Sequence, residues 1–361
     1  MAFRVRAIFV AAVAVLSAGC GGGGGSGNSS LPSPVKHTEI AVIPSPTPSP
    51  SPTPGPTLYV SDVAKVYAYP LSGNGTLAPS RTIVPHPTDN THSLAYDSLA
   101  TGTDGSLFVL DNFFTGSGQS QTEFCRVDQY GPTDSGSPTV PVYLCDPTNP
   151  TQGEGIARNT QSGFDVAFRN GDPAGQTAPP YAIRRFGSGG TVVNTLTLSS
   201  GVAPVSIATD RGGHDYIDPL FQNGRILEYA EATTDPTAPA RDYNVACCAK
   251  LGALAVSQIV PKTIYAVVIQ NAGGVANEKI IALAPGATTP SRTIGPFPNH
   301  YVTAMAVDSQ GSLYVAMNPV AGGTGSSIRV YASNAVGTPT PLRHIVPNPA
   351  ITEIRGLAIF E

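Results

Sequence analysis

The sequence predicts an all-β fold: a six-bladed β-propeller of four-stranded antiparallel blades over residues 57–361, preceded by a disordered tether. Three observations carry that expectation. Gly (39) and Pro (35) are abundant among 361 residues, and only 12% of residues are charged. Gly and Pro are the poorest helix formers, so this composition suits short strands joined by turns. Strand-like segments recur in one fixed order, with a period of about fifty residues repeated six times, as expected when each repeat is one blade.

The chain opens MAFRVRAIFVAAVAVLSAGC. Arg4 and Arg6 form a positive start, Ala7 to Leu16 a short apolar run, and Ser17, Ala18 and Gly19 a small-residue approach to Cys20. Such a segment is a secretory signal, too short to span a bilayer as a helix. Its LSAGC ending resembles the lipobox of bacterial lipoproteins, with Leu16 four residues before the cysteine where the family commonly has it at three. The resemblance implies cleavage before Cys20 and lipidation of its thiol, which would anchor the protein through buried methylenes worth about 0.8 kcal/mol each. Gly21 is not the Asp that commonly retains lipoproteins at the inner membrane. The expected address is therefore the extracytoplasmic cell envelope, at the outer membrane if the host has one.

With residues 1–19 as signal peptide, residues 20–56 form the tether. GGGGGSGNSS is a flexible coil composition. Seven prolines then alternate with Ser, Thr and Gly from Pro44 to Pro56. Alternate prolines force extended neighbours, and a polyproline-II rod over this stretch would span roughly 40 Å at about 3.1 Å per residue. A PxxP ligand is the other usual reading, but its partners are intracellular and this chain is exported.

The first repeated signature is small–apolar–Ala: Ser93-Leu94-Ala95, Gly155-Ile156-Ala157, Ser206-Ile207-Ala208, Ala253-Leu254-Ala255, Ala304-Met305-Ala306 and Gly356-Leu357-Ala358. The second is a β-rich strand ending in Asp62, Asp111, Asn170, Asp218, Asn271 or Asn318. The third alternates and ends mostly in an aromatic, at Tyr69, Tyr130, Phe186, Tyr229, Leu283 and Tyr331. A fourth strand carries Pro-x-Arg-x-apolar or aromatic at Arg81, Arg241, Arg292 and Arg343. The order GLAxD…G-x-LYVAD…I-x-VY resembles NHL-type six-bladed repeats. That resemblance implies blades running from the innermost strand outward, with the small–apolar–Ala strand lining the central channel. The last repeat stops at Gly356–Phe360, a first strand with no successor, whereas the domain begins at Leu58-Tyr59-Val60, a second strand with no predecessor. The two ends are expected to share a blade and close the ring.

Cys125, Cys145, Cys247 and Cys248 remain in an oxidising compartment. Cys125 and Cys145 flank two strands about a polar turn near Ser135 and are equidistant from its centre, so a cross-strand disulfide is expected. Cys247 and Cys248 would be a vicinal disulfide or two thiols. Metal binding by that pair is disfavoured by the lack of neighbouring Cys or His.

Chemistry is sought where the innermost strands begin. Three residues before the repeat alanines stand His92, Glu154 and Arg355 in three consecutive blades, with His300 and Glu353 just upstream in their loops. A His, a carboxylate and an Arg converging there could bind an anionic or sugar-like ligand, or do acid–base work. They would equally serve as a solvated loop ring with a local ion pair. The Asp/Asn residues at the second-strand ends could hold a hard cation, but such residues usually satisfy local turn amides. Six-bladed lactonases and gluconolactonases carry a Glu plus Asn/Asp metal site, which Glu154, Asn170 and Asn271 would imitate only in part. No cofactor or metal site is therefore assigned, and no catalytic residue is named. GxSxG, HExxH and P-loop patterns are missing.

The formal net charge is −4 and no Lys/Arg run follows Arg6, so a nucleic-acid footprint is missing. Two functions stay open. One is a monomeric binding or scaffold propeller held at the membrane by Cys20, facing a protein, peptide or carbohydrate. The other is a propeller hydrolase or lyase using the channel mouth.

Overall fold

A computed structural model of the chain describes residues 55–84, 98–115, 122–135, 140–146, 151–170, 181–199, 202–219, 224–231, 239–245, 247–248, 250–269, 271–272, 275–320 and 325–361. The signal peptide, Cys20 and the tether up to residue 54 lie outside them.

The described strands form six sheets, one per blade. Blade I holds β1 (Thr57–Ser61), β2 (Val66–Pro70) and β4 (Arg81–Ile83), with β3 (Gly75–Leu77) lying between β2 and β4 in the chain. Blade II holds β5 (Ser98–Thr101), β6 (Leu107–Thr115), β7 (Thr122–Tyr130) and β8 (Val140–Leu144). Blade III holds β9 (Thr151–Arg158), β10 (Phe164–Asn170), β11 (Tyr181–Phe186) and β12 (Val192–Thr197). Blade IV holds β13 (Pro204–Thr209), β14 (Asp215–Pro219), β15 (Arg225–Tyr229) and β16 (Arg241–Asn244). Blade V holds β17 (Leu251–Val256), β18 (Ile264–Val268), β19 (Asn271–Ala272), β20 (Val275–Leu283) and β21 (Arg292–Pro298). Blade VI holds β22 (His300–Val307), β23 (Leu313–Pro319), β24 (Ser327–Tyr331) and β25 (Arg343–Pro347). The last strand, β26 (Gly356–Phe360), returns to blade I and pairs antiparallel with β1, Ala358 facing Tyr59. The ring closes as the ends of the sequence imply.

Two blades exceed four strands. In blade V the short β19 adds to β20. In blade VI, β3 of blade I runs parallel along the outer strand β25, pairing Gly75 with Ile345. The same device recurs in miniature where Gly337, between β24 and β25, bridges Ile294 of blade V.

The strands are short apolar runs because each blade is buried on both faces. Six hydrophobic clusters fill the six seams between neighbouring blades. In β1, Leu58 and Val60 face blade VI while Tyr59 faces blade II, the period-two alternation of a strand. Small residues on the innermost strands follow from crowding at the axis. A Cβ on Gly356 would come within 2.6 Å of the Ser61 hydroxyl and 3.1 Å of Leu99.

One expected strand is displaced. The innermost strand of blade II is Ser98–Thr101, and Ser93-Leu94-Ala95 lies outside the described residues. Ala100 faces Phe108 across the strand pair, as Ala208 faces Tyr216 and Ala306 faces Tyr314. The sequence carries Ser-Leu-Ala twice within eight residues, and the second copy meets the aromatic of the next strand.

Cys125 is bonded to Cys145 between β7 and β8, their Cα atoms 5.5 Å apart. Cys247 is bonded to Cys248 in the connection from β16 to β17.

Candidate functional site: the channel and its mouth

The innermost strands line a cavity of about 190 Å³ on the axis, walled by residues such as Ser98, Glu154, Ser206, Thr303 and Gly356. That is below the roughly 300 Å³ at which small-molecule pockets usually begin. Of the residues singled out in the sequence, Glu154 lines this cavity. Its carboxylate meets the Arg169 guanidinium at 3.4 Å, the two side chains sitting on paired strands β9 and β10 of one blade. Arg355 is paired with Glu353 at 3.3 Å, just before the channel-lining Gly356. His300 opens β22 and its Nδ1 lies 2.9 Å from the Pro298 carbonyl. His92 lies outside the described residues. The shift of the blade II strand to Ser98–Thr101 makes Asp97, rather than His92, the residue three before that blade's alanine.

Much of the polar chemistry at the mouth is spent between blades. Asn318 donates through Nδ2 to the Ile354 carbonyl and accepts the Ile354 amide on Oδ1, both at 2.8 Å. Asn112 makes the same double bond to Gly153, at 3.1 and 2.7 Å. Glu278 accepts the Val302 amide at 2.6 Å. Hydroxyls on the innermost strands do likewise. Ser98 exchanges bonds with the Ile156 backbone, Ser206 donates to Gly252, and Thr303 donates to Ile354. Each of these joins a blade to the one that follows, satisfying backbone groups that would otherwise be buried unpaired where the blades meet.

The described second-strand Asp/Asn residues do not share one matching position. Counted from the residue opposite the repeat alanine, Asn318 is four past Tyr314, but Asp111 is three past Phe108 and Asp218 only two past Tyr216. A one-residue offset sends a strand side chain to the opposite face. Hence Asn112, and not Asp111, matches Asn318, and the signal that finds it is the four-residue offset. Asp111 instead pairs with Arg126 at 2.7 Å. Asp62 caps its turn, accepting the Ala64 and Lys65 amides at 2.7 Å. Asp218 is buried, and burial pushes its carboxyl up to about 7 against the opposing pull of Lys250. The side chains of Asn170 and Asn271 lie outside the description. Among the described residues no three His, Cys, Asp or Glu side chains converge as metal ligands would.

The role of three of the four fourth-strand arginines emerges only in three dimensions. Arg81 donates to the Tyr59 hydroxyl at 2.8 Å and to the Gly131 carbonyl of the next blade at 3.2 Å, its guanidinium stacked 5.5 Å from the tyrosine ring centroid. Arg343 does the same with Tyr314 and the Leu71 carbonyl, its guanidinium 5.2 Å from the ring centroid, and Arg292 donates to the Tyr265 hydroxyl and the Ser333 carbonyl. A planar guanidinium with several fixed donors can stack and bridge at once, which a lysine cannot.

No family model and no curated protein matches this sequence. Among solved structures, the chain is similar to a protein of unknown function from Bacteroides caccae at 9% identity and a TM-score of 0.58, covering 85% of this chain and 99% of that one. It is similar to streptogramin B lyase at 16% identity and a TM-score of 0.43, covering 80% and 86%. It is also similar to the Dos1 propeller at 11% identity and a TM-score of 0.41, covering 69% and 71%. The first of these likenesses, at 9% identity, is one of fold alone, and function is to be argued from this chain's own residues.

Proposed function

We propose that the chain is a lipid-anchored propeller of the cell envelope, with NHL-like repeats, that presents a binding face as a monomer to a protein, peptide or carbohydrate. The observation that carries it is Cys20, placed where an apolar signal and a small-residue run end and a flexible, then Pro-rich, tether begins. The tether frees the domain from the bilayer. The small axial cavity and the inter-blade use of its polar rim support binding on a face over chemistry in the channel.

The test is expression of the full chain in a bacterium that processes lipoproteins, with mass spectrometry of the N-terminal peptide. The expected product begins at Cys20, carries acyl chains and sediments with membrane, with the outer membrane in a diderm host. Cys20→Ala is expected to become soluble. A soluble wild type with unmodified Cys20 would overturn the proposal.

A hydrolase or lyase reading keeps one specific support, the Glu154 carboxylate on the channel wall. Stoichiometric divalent metal in the purified protein would raise it.

A further inference from the structure

A second cavity, of about 410 Å³, opens on the opposite face of the ring, where the innermost strands end. Its walls come from blade V, with Ser333 contributed by blade VI. Comparison of the blades shows what its polar wall lacks. In blades IV and VI the turn after the innermost strand begins with Asp210 or Asp308. One carboxylate oxygen caps two turn amides, and the other accepts the hydroxyl of Tyr216 at 2.8 Å or Tyr314 at 3.4 Å. In blade VI the same tyrosine also accepts from Arg343, so anion, hydroxyl and cation form a closed triad.

Blade V keeps two of the three. Tyr265 and Arg292 stand where Tyr314 and Arg343 do, and Arg292 donates to the Tyr265 hydroxyl at 3.4 Å. The turn's first residue is Ser257, however, and the turn runs over 257–263 where its counterpart in blade VI runs over 308–312. Ser257 reaches only the Ile259 amide, at 3.3 Å, and the Tyr265 hydroxyl turns to the Ser333 carbonyl. Ser257 is 3% exposed and Tyr265 2% exposed, so both are held in place by burial. Arg292 bonds a carbonyl and a hydroxyl but no carboxylate, using two of its five N–H donors. Lys262 also lines the cavity, but its ammonium is taken by Asp210 of blade IV. Ile259 and Pro261 supply apolar wall, and Val260 between them is 95% exposed.

We propose that this cavity binds a small amphipathic carboxylate, whose anionic end completes the triad with Tyr265 and Arg292 and whose apolar end lies on Ile259 and Pro261. The size falls in the usual range for small-molecule sites. A guanidinium is the side chain suited to grip a planar carboxylate. The site is independent of the channel mouth and of the anchor.

The test is titration calorimetry of the full chain with phenylacetate and with hexanoate, and with the neutral phenylacetamide as control. Saturable binding of a carboxylate, with the amide at least about tenfold weaker, is expected from the loss of a charge-assisted bond. Ser257→Asp supplies the missing anion from the chain itself, as in blades IV and VI. It is expected to keep the melting temperature and weaken carboxylate binding by about tenfold or more. Arg292→Gln is expected to weaken it similarly and provides the second arm if the first variant folds poorly. No saturable binding to the wild type, amide binding as tight as carboxylate, or equal affinity in a folded variant would each overturn the proposal.

Discussion

Between blades VI and I the contacts end on backbone groups. Asn318 clasps Ile354 in both directions, β3 lies parallel on β25, and Arg343 reaches the Leu71 carbonyl. Between blades IV and V the contact depends more on side chains from one inserted turn. Gln258 donates to the Thr209 carbonyl at 2.9 Å and Lys262 pairs with the buried Asp210. Facing that second seam is a carboxyl in a hydrophobic position. Asp218 stands two residues past Tyr216, where blade VI has Ala316 and blade II has Leu110. The difference teaches that a propeller seam tolerates a mismatched residue where neighbours carry the load. In the seam that closes the ring, the β3–β25 pairing and the Arg343 bond to Leu71 form only when the two ends of the domain have met.

The largest expected effect comes from breaking the closing seam. Deleting Gly356–Glu361 removes the innermost strand of blade I and the apolar contacts of Leu357 and Ala358 with both neighbouring seams. The truncated chain is expected to lose its cooperative thermal transition, and an unchanged melting temperature would refute the structural role of closure. Next is Asn318→Asp, which removes the donor to Ile354 and puts a carboxylate against its carbonyl. A loss of about 2–4 kcal/mol is expected at pH 7, read from the urea midpoint, with part regained in acid as the new carboxyl protonates.

The smallest effect is a gain. Asp218 titrates near 7 in the folded chain, because burial disfavours its charge, and near about 4 when unfolded. Between those values the folded state holds a proton that the unfolded state has lost, so this residue's contribution falls as pH rises from about 4 to about 7 and is level beyond. Asp218→Asn is therefore expected to add about 1–4 kcal/mol at pH 8 and little at pH 4. A wild-type-minus-variant difference that stays flat across this window would place the Asp218 charge in solvent.

Much of the fold could be read from local pattern. Two-sided burial makes apolar second strands, axial crowding makes small first strands, and the leftover strand at each end implies closure. The channel mouth was less legible. Ser93-Leu94-Ala95 and Ser98-Leu99-Ala100 are equivalent as local strings, although an alanine eight residues before Phe108 matches the spacing of Ala208 to Tyr216 and Ala306 to Tyr314. Asp111 and Asn112 are neighbours in sequence, yet only Asn112 clasps the next blade, because adjacent strand residues point to opposite faces.

By itself the sequence determined the repeat, the number of blades, their order and the way the ring closes, since these follow from periodicity and from what each strand must bury. The export signal, the lipid anchor at Cys20 and the tether are likewise sequence expectations. Tertiary structure alone decided what each polar side chain meets on the adjoining blade: Arg343 on the Leu71 carbonyl, Asn318 on Ile354, and Ser257 beside a cavity where Asp308 makes a closed triad. The physical reason is range. Burial and alternation act over a few residues of one strand, whereas a hydrogen bond between blades joins groups that only the packed ring brings together.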